Sequence, residues 1–381
     1  MIVGVPTESI AGETRVSVTP ETAKKYVAQG HTVLVQAGAG ESASAPDTAY
    51  EAAGACITDA AGALGADLVL KVQKPSVEEL GLMKPATTLV GMLNPFDKDG
   101  LAQMAAAGLT AFALEAMPRT TRAQSMDVLS SQANIAGYKA VILAASHYRK
   151  FFPMLMTAAG TVKAARVVVL GVGVAGLQAI ATAKRLGAVI EASDVRPSVK
   201  EQVESLGAKF IDVPCETAEE REAAEGVGGY ARPMPQSWLE RQKVEVAKRV
   251  AQADVVIATA LIPGRAAPVL ITEEMVESMK PGSVIVDIAA GKGAIGPHGG
   301  PGGNCLLTEA GRTVQRHGVV IVGETNLPAL AAADASALYA RNVLDFLKLV
   351  LPKDASTVQV PMEDDIVAAC LVTQAGKVKR N

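Results

Sequence analysis

Short apolar, β-branched runs recur along the chain, and stretches with a helical pattern separate them. In the first third the runs lie at residues 2–5, 32–36, 67–71, 88–93 and 110–114. Further along they lie at residues 167–170, 189–193, 209–213, 254–258, 283–288 and 318–322. Runs that are apolar throughout are typical of parallel strands whose two faces are both covered. With right-handed crossovers between them, they predict doubly wound parallel sheets.

Two long stretches with few helix breakers predict the helices that join the domains. Residues 130–152 keep a helix-forming composition up to Pro153, and residues 327–351 form a second such stretch. A chain that leaves its first domain through one helix and returns through another makes that domain discontinuous. We therefore predict an α/β protein of two Rossmann-like domains, residues 1–130 plus 325–381 and residues 131–324.

Two segments interrupt the alternation of strands and helices. Residues 216–242 are charged and are broken by glycines and prolines, and residues 291–304 are rich in glycine. Long loops in α/β domains are usually functional or disordered. We expect both segments to be irregular.

The composition narrows the class of protein. The net charge is −3, from 36 basic and 39 acidic residues, and no basic block is present that would neutralise a row of phosphates. Aromatic residues make up only 3%, so stacking surfaces for single strands are not expected either. This pattern predicts no nucleic-acid partner. The four cysteines and four histidines show no ligand spacing, so we expect reduced thiols and no metal site.

The hydropathy pattern does not predict insertion into a membrane. The N-terminus lacks the basic and long apolar regions of a signal peptide. The longest uncharged stretch, residues 167–183, contains three glycines and a glutamine and is shorter than a bilayer crossing. A strand, a glycine turn and a helix account for it better.

That stretch contains the strongest local motif, G-x-G-x-x-G directly after an apolar strand. Gly171 would permit the tight turn, Gly173 the approach of a pyrophosphate, and Gly176 close packing of helix on strand. Val174 and Ala175 would open the helix whose free N–H groups face the phosphates. The alternative is a tight strand–helix turn that binds no ligand.

An acidic residue at the end of the next strand favours the dinucleotide interpretation. Asp194 lies 18 residues beyond Gly176, where a carboxylate accepts hydrogen bonds from the adenosine ribose and repels a 2′-phosphate. Val195 and Arg196 follow it, and an arginine at this place is able to accept a phosphate. We give the acidic residue more weight and predict NAD(H) rather than NADP(H).

Residues 117–134, MPRTTRAQSMDVLSSQAN, closely resemble the segment that covers the nicotinamide in the NAD(H)-binding domain of proton-translocating transhydrogenase. The resemblance continues over nearly the whole chain, through residues 156–160, 194–196, 228–230, 259–264 and 332–336. It implies direct hydride transfer between NADH bound here and NADP⁺ bound on a partner. It also implies a homodimer, an NADP(H)-binding component, a membrane-spanning subunit, and a cytoplasmic protein held peripherally at the inner face of the membrane through these partners.

The resemblance also assigns roles to individual residues. Gln124 would hold the nicotinamide or its ribose, Asp127 and Arg119 would form the polar floor, and Ser130 and Tyr138 would support the loop. The pattern by itself favours a polar helix N-terminus with Ser130 as its cap. Gly229 and Tyr230 match a mobile loop that closes over the nucleotide, although a solvated linker has the same composition. Gln242 and Leu261 match nucleotide-contacting positions.

Alanine dehydrogenase shares this fold and is the main alternative. Its catalytic histidine falls near Leu93 and Asn94 here, and its substrate lysine corresponds to Gln73. Amino-acid oxidation needs a proton acceptor beside the reacting amine, and that group is missing from these positions. Arg15, a substrate-carboxylate ligand in the dehydrogenases, is interpreted here as a structural ion-pair partner. A third possibility is an NAD-binding regulator without catalytic activity.

Overall fold

The computed structural model describes residues 1–225, 234–352 and 355–380. The chain forms two compact units. The first unit consists of Met1–Gln132 and Pro328–Asn381, and the second of Ala133–Leu327. Each contains a sheet of mainly parallel strands with helices between them, which confirms the predicted fold class of two α/β domains.

The strands fall in three groups along the chain. Those of the first unit's N-terminal segment are β1 (Ile2–Val5), β2 (Thr32–Gln36), β3 (Cys56–Thr58), β4 (Leu68–Gln73), β5 (Thr88–Met92) and β6 (Thr110–Ala113). Those of the second unit are β7 (Leu155–Thr157), β8 (Gly160–Val162), β9 (Arg166–Leu170), β10 (Val189–Ser193), β11 (Lys209–Phe210), β12 (Val255–Ala258), β13 (Val284–Asp287), β14 (Thr313–Arg316) and β15 (Val319–Val322). The C-terminal strands are β16 (Leu371–Gln374) and β17 (Lys377–Val378).

The α-helices alternate with these strands. They are α1 (Pro20–Ala28), α2 (Asp47–Ala52), α3 (Ala60–Leu64), α4 (Val77–Leu82), α5 (Lys98–Ala106), α6 (Val128–His147), α7 (Val174–Arg185), α8 (Lys200–Ser205), α9 (Ala218–Glu225), α10 (Gln236–Val250), α11 (Glu273–Glu277), α12 (Ala332–Val350) and α13 (Asp365–Cys370). Short 3₁₀ helices lie at Glu41–Ala43, Leu114–Ala116, Thr121–Met126, Pro197–Val199 and Leu327–Ala331.

The first unit contains an eight-stranded sheet in the order β17-β16-β6-β5-β4-β1-β2-β3. Strands β1 to β6 pair in parallel, and β16 adds an antiparallel strand from the C-terminal segment beside β6. Helix α12 packs on this sheet, where Phe346 meets Phe112 edge to face at 5.4 Å between ring centroids. Because both segments contribute to one core, this unit is discontinuous in sequence.

The second unit contains a seven-stranded sheet in the order β11-β10-β9-β12-β13-β15-β14, antiparallel only where β14 pairs with β15. Strand β9 is buried on both faces. Val167 and Val169 lie in one apolar cluster, and Val168 and Leu170 lie in another. This two-sided burial explains why the run is apolar at every position and not at alternate ones.

The chain reverses direction across the sheet beside β9. After β9 it continues to β10 and β11 on one side, and then returns to β12 on the other side. In doubly wound sheets the crevice at such a switch point, at the carboxyl ends of the strands, is where ligands bind. The glycine motif begins at this end of β9.

The structure differs from the sequence prediction mainly in its short and antiparallel elements. The hairpin β7–β8 and strands β3, β14, β16 and β17 were not predicted, because two to four residues hold too little periodicity. The expectation that residues 216–242 are irregular was wrong at both ends. Helix α9 and the start of α10 lie there, on either side of residues outside the described ranges.

Candidate functional site

The turn after β9 requires glycine at its first position. Gly171 has φ +94°, and a Cβ there would lie 2.7 Å from the Thr259 side-chain oxygen. The Thr259 hydroxyl donates a hydrogen bond of 2.8 Å to the Gly171 carbonyl. The turn is therefore closed against the end of β12, at the switch point of the sheet.

The other two glycines of the motif meet opposite surroundings. A Cβ on Gly176 would lie 2.0 Å from the Gly171 carbonyl oxygen, so α7 rests directly on the turn that precedes it. A Cβ on Gly173 would meet no atom within 4 Å, and this residue has the ordinary backbone angles φ −82° and ψ −164°. Space is therefore open in front of Gly173, where a ligand is able to approach the backbone.

Helix α7 begins without a side chain over its first turn. Its N-cap is Gly173, which offers no capping group, and the first intrahelical acceptor, the Gly173 carbonyl, bonds to Leu177. Val174 and Ala175 lie in that first turn, and their N–H groups precede the first intrahelical bond. A helix start of this kind favours an anion through its N–H groups and its dipole.

Asp194 lies beside this turn at the end of β10. Its carboxylate accepts a hydrogen bond of 2.7 Å from the Val172 N–H and one of 2.9 Å from the Arg196 N–H. The guanidinium of Arg196 also donates to it, through Nε at 2.9 Å and Nη2 at 3.0 Å. The hydrogen bond to Asp194 raises the pKa of Arg196 above its usual value, against the effect of partial burial.

The remaining candidates of the second unit lie at the ends of neighbouring strands or helices. Val195 packs against the apolar cluster around Trp238. The Gln242 amide donates to the Ser193 hydroxyl at 3.2 Å, which places it beside the residue before Asp194. Leu261 follows the end of β12, and 40% of its surface is exposed. Gly229 and Tyr230 lie outside the described residues.

The polar segment of the first unit contains a capped helix start. Asp127 precedes α6, accepts a hydrogen bond of 2.9 Å from the Ser130 N–H, and accepts a second of 2.6 Å from the Ser130 hydroxyl. The expectation that Ser130 is the cap is therefore wrong. Asp127 caps the helix, because its carboxylate reaches the N–H three residues later, and Ser130 supports it.

Gln124 and Arg119 are exposed on this segment, while the residues around Gln124 anchor it. Ala123 and Met126 are buried in the core of the first unit. The Asn342 amide of α12 donates to the Ser125 carbonyl at 2.7 Å. The Gln124 amide is thus presented from a firmly packed 3₁₀ turn.

Tyr138 lies on the portion of α6 that belongs to the second unit, and 45% of its surface is exposed. Its neighbour Gly137 packs against the first turn of α7, since a Cβ there would lie 2.1 Å from the Ala175 carbonyl oxygen. Helix α6 therefore braces the start of α7.

Sequence reasoning missed the polar residues that fix the loop after β12. Asn304 is fully buried, accepts from the Ala260 N–H at 2.9 Å, and donates to the Ala260 carbonyl at 2.9 Å. Asp287 is also buried and accepts from the Cys305 N–H at 2.9 Å and the Thr308 hydroxyl at 2.7 Å. Burial raises the pKa of Asp287. An asparagine after a glycine-rich segment gives no signal for such a role in a single sequence.

A buried charge cluster lies in the first unit, away from any of the predicted site residues in sequence. Arg15 binds Glu13 through Nε at 2.7 Å and Nη2 at 2.6 Å, and the Gln73 amide donates to the same carboxylate at 3.0 Å. Lys71 pairs with Glu79 at 2.7 Å and with Glu8 at 3.4 Å. The interpretation of Arg15 as an ion-pair partner agrees with this geometry. Burial raises the pKa of Glu8 to about 7, although Lys71 lowers it.

One surface group combines a histidine with two carboxylates. His317 Nε2 lies 3.3 Å from Glu273 Oε1 and 3.7 Å from Glu277 Oε1. Its side chains are substantially exposed, so we interpret it as a surface ion pair. Among the described residues, no helix combines the length and apolar character needed to cross a membrane.

Two mainly parallel sheets, with a glycine turn at the switch point of one of them, define a two-domain α/β protein of the Rossmann-like class. Family models for "Alanine dehydrogenase/PNT" match the chain, the N-terminal domain over residues 4–136 and the C-terminal domain over residues 140–381. The chain therefore belongs to the alanine dehydrogenase/PNT family.

Similar proteins within this family are mainly transhydrogenase subunits. The chain is 50% identical to an NAD(P) transhydrogenase subunit alpha of Rhodospirillum rubrum, over 99% of this chain and 97% of that protein. The crystal structure of a transhydrogenase from Sinorhizobium meliloti is 46% identical, with a TM-score of 0.88 over 99% of this chain and 100% of that one. Alanine dehydrogenase of Bacillus subtilis is 32% identical over 86% of this chain and 80% of that protein.

Proposed function

We propose that this chain is the NAD(H)-binding component of a proton-translocating transhydrogenase, which transfers hydride directly between NADH and NADP⁺ bound on a partner subunit. The observation that carries the proposal is the open glycine turn at the switch point, with Asp194 at the end of the next strand. The similarity to transhydrogenase alpha subunits over nearly the full length of the chain supports it.

The residues of the second unit fit a dinucleotide. Open space at Gly173 leaves room for a pyrophosphate, and the N–H groups of Val174 and Ala175 would donate to it. The Asp194 carboxylate would accept hydrogen bonds from the adenosine ribose hydroxyls. Gly229, Tyr230, Gln242, Leu261 and Val195 are proposed as further contacts around the nucleotide.

The polar segment before and within α6 would orient the nicotinamide. When bound, the nicotinamide ring supplies the hydride chemistry itself, so the protein needs to supply only position and exclusion of water. Gln124, exposed on its anchored turn, would hold the ring or its ribose. Arg119 and Asp127 would form the polar floor, with Ser130 fixing the Asp127 carboxylate and Tyr138 supporting the segment.

The first unit argues against an amino-acid dehydrogenase. A substrate carboxylate at Arg15 would have to displace Glu13, which already forms two short charge-assisted hydrogen bonds with the guanidinium. The N–H groups of Leu93 and Asn94 are held by Glu115, and no imidazole lies at these two positions. A proton acceptor for the amine is therefore missing at the place where the dehydrogenases carry it.

The proposed partners are a second copy of this chain, an NADP(H)-binding component and a membrane-spanning subunit, through which this cytoplasmic component would lie peripherally at the inner face of the membrane. The β7–β8 hairpin supports a homodimer. Met154 and Met156 on this hairpin expose 61% and 74% of their surface, and Phe151 before it exposes 58%. A local concentration of exposed apolar side chains of this kind marks a protein–protein contact.

Two measurements on the full chain test the proposal. Titrations with NADH and NADPH should show a clear preference for NADH. Mixing the NADH-loaded chain with a transhydrogenase component loaded with NADP⁺ should produce NADPH without free intermediates. Rapid oxidation of L-alanine by the isolated chain with NAD⁺ would instead identify an amino-acid dehydrogenase and overturn the proposal.

A further inference from the structure

Every acceptor position of the Asp194 carboxylate is in use. Oδ1 accepts from the backbone N–H and from Nε of Arg196, and Oδ2 accepts from the Val172 N–H and from Nη2 of Arg196. A carboxylate has about four lone-pair sites, so four donors fill it. A ribose hydroxyl that binds here must therefore replace a donor that is already present.

The two kinds of donor differ in how easily they can leave. The Val172 and Arg196 N–H groups belong to the glycine turn and to the chain after β10, so moving them would break the turn. The guanidinium is at the end of a flexible side chain, and 21% of that side chain is exposed. The guanidinium is therefore the group that yields to a ribose.

The position of this guanidinium also gives it a second potential partner. Nη2 of Arg196 donates to the Val172 carbonyl at 3.2 Å, so the cation lies against the start of the glycine turn. A cation at the end of this strand is where Rossmann-like sites hold the 2′-phosphate of NADP(H). Arginine remains charged and matches the geometry of a phosphate.

We propose that the Asp194–Arg196 ion pair sets the choice of nucleotide: Asp194 binds the ribose of NAD(H) and at the same time holds Arg196 away from a 2′-phosphate. The site thus contains a latent 2′-phosphate subsite that its own carboxylate neutralises. This inference rests on the proposed function, because it concerns the same nucleotide site. It goes further by assigning selectivity to two residues with opposite effects.

The test is a set of binding titrations on the full chain. The variants are Asp194→Asn, Asp194→Ser, Arg196→Gln and the double variant Asp194→Asn with Arg196→Gln. Asparagine keeps an acceptor for the Val172 N–H while removing the charge, so this variant retains the turn if serine does not. Arg185→Gln, at the opposite end of α7, is the control for loss of one positive charge. Thermal unfolding without ligand checks that each variant is folded.

Four ligands separate the parts of the nucleotide. NADH and NADPH differ only in the 2′-phosphate, and 2′,5′-ADP carries that phosphate on adenosine 5′-monophosphate without any nicotinamide. Asp194→Asn should weaken NADH and tighten NADPH and 2′,5′-ADP by about tenfold or more, as a charge-assisted pair with phosphate permits. Arg196→Gln should abolish this gain in the double variant, and by itself should tighten NADH by a few-fold. Arg185→Gln should change neither preference.

Two results would overturn the inference. One is an Asp194→Asn variant that is folded but gains nothing for the 2′-phosphorylated ligands. The other is a gain that persists in the double variant. Failure of the proposed function would be visible separately, because the unmodified chain would then bind NADH no better than NADPH. A chain that prefers NADH while its variants show no dependence on Arg196 contradicts only the inference.

Discussion

Two helix starts in this chain treat their free N–H groups in opposite ways. Helix α6 begins after Asp127, whose carboxylate accepts from the Ser130 N–H and hydroxyl. Helix α7 begins after Gly173, which has no side chain to offer and faces open space. The first start is closed by the protein itself. The second is left open, which is useful only if something else supplies the acceptor.

The difference arises from which residues precede each helix. An aspartate at the N-cap makes α6 locally stable and keeps the polar segment before it in one conformation. A glycine at the N-cap of α7 gives up that stabilisation. Gly176 then lets the helix lie so close to the turn that a Cβ would come within 2.0 Å of the Gly171 carbonyl oxygen. Stability is thus placed at one helix start and binding capacity at the other.

The largest effect is expected from Gly176→Ala. A methyl group there would overlap the Gly171 carbonyl oxygen, and neither backbone segment is free to move. We expect the second unit to lose roughly 3 kcal/mol or more of stability, measured by urea unfolding. An unchanged unfolding midpoint would mean that the close contact between helix and turn is not required.

Gly173→Ala should separate folding from binding. Its Cβ meets no atom and its φ is −82°, so the fold should be retained with an unchanged melting temperature. The methyl group would occupy the space proposed for the pyrophosphate, and NADH affinity should fall by about tenfold or more. Gly81→Ala on α4 is the matched control, since its Cβ also meets open space. Equal NADH binding by both variants would contradict the assignment of the phosphate site.

A smaller effect is expected from Asp127→Ala. Loss of the cap of α6 should lower stability by about 1 kcal/mol in thermal or chemical unfolding. Affinity for adenosine 5′-monophosphate should not change, because the proposed adenosine site lies at β10 and α7. Thr121→Ala, exposed on the same polar segment, is the control. A loss in Thr121→Ala equal to that in Asp127→Ala would show that the cap itself contributes nothing.

The sequence predicted the elements whose pattern is long and regular. Strands β1, β2 and β10 begin and end where their apolar runs do, and the glycine motif lies at the switch point of its sheet. The antiparallel strands β16 and β17 were missed, because four- and two-residue strands give no periodicity and their pairing depends on distant residues. Helices α9 and α10 were obscured by the glycines and prolines that lie between them.

The candidate site divides in the same way. Gly171 and Asp194 follow from local spacing, because a turn and a strand end are set by neighbours in sequence. Thr259 and Asn304 could not be found, since they act on residues 88 and 44 positions away, respectively. The cap of α6 was assigned to the wrong residue for a different reason: Asp127 and Ser130 are both good capping residues, and only the geometry decides between them.

The most direct test of the account is amide hydrogen exchange of the full chain with and without ADP, which carries the adenosine and pyrophosphate but no nicotinamide. The account predicts new protection of residues 171–177, at the open start of α7, and no change at residues 127–131, where the start of α6 is already capped. Protection that leaves residues 171–177 unchanged would contradict it.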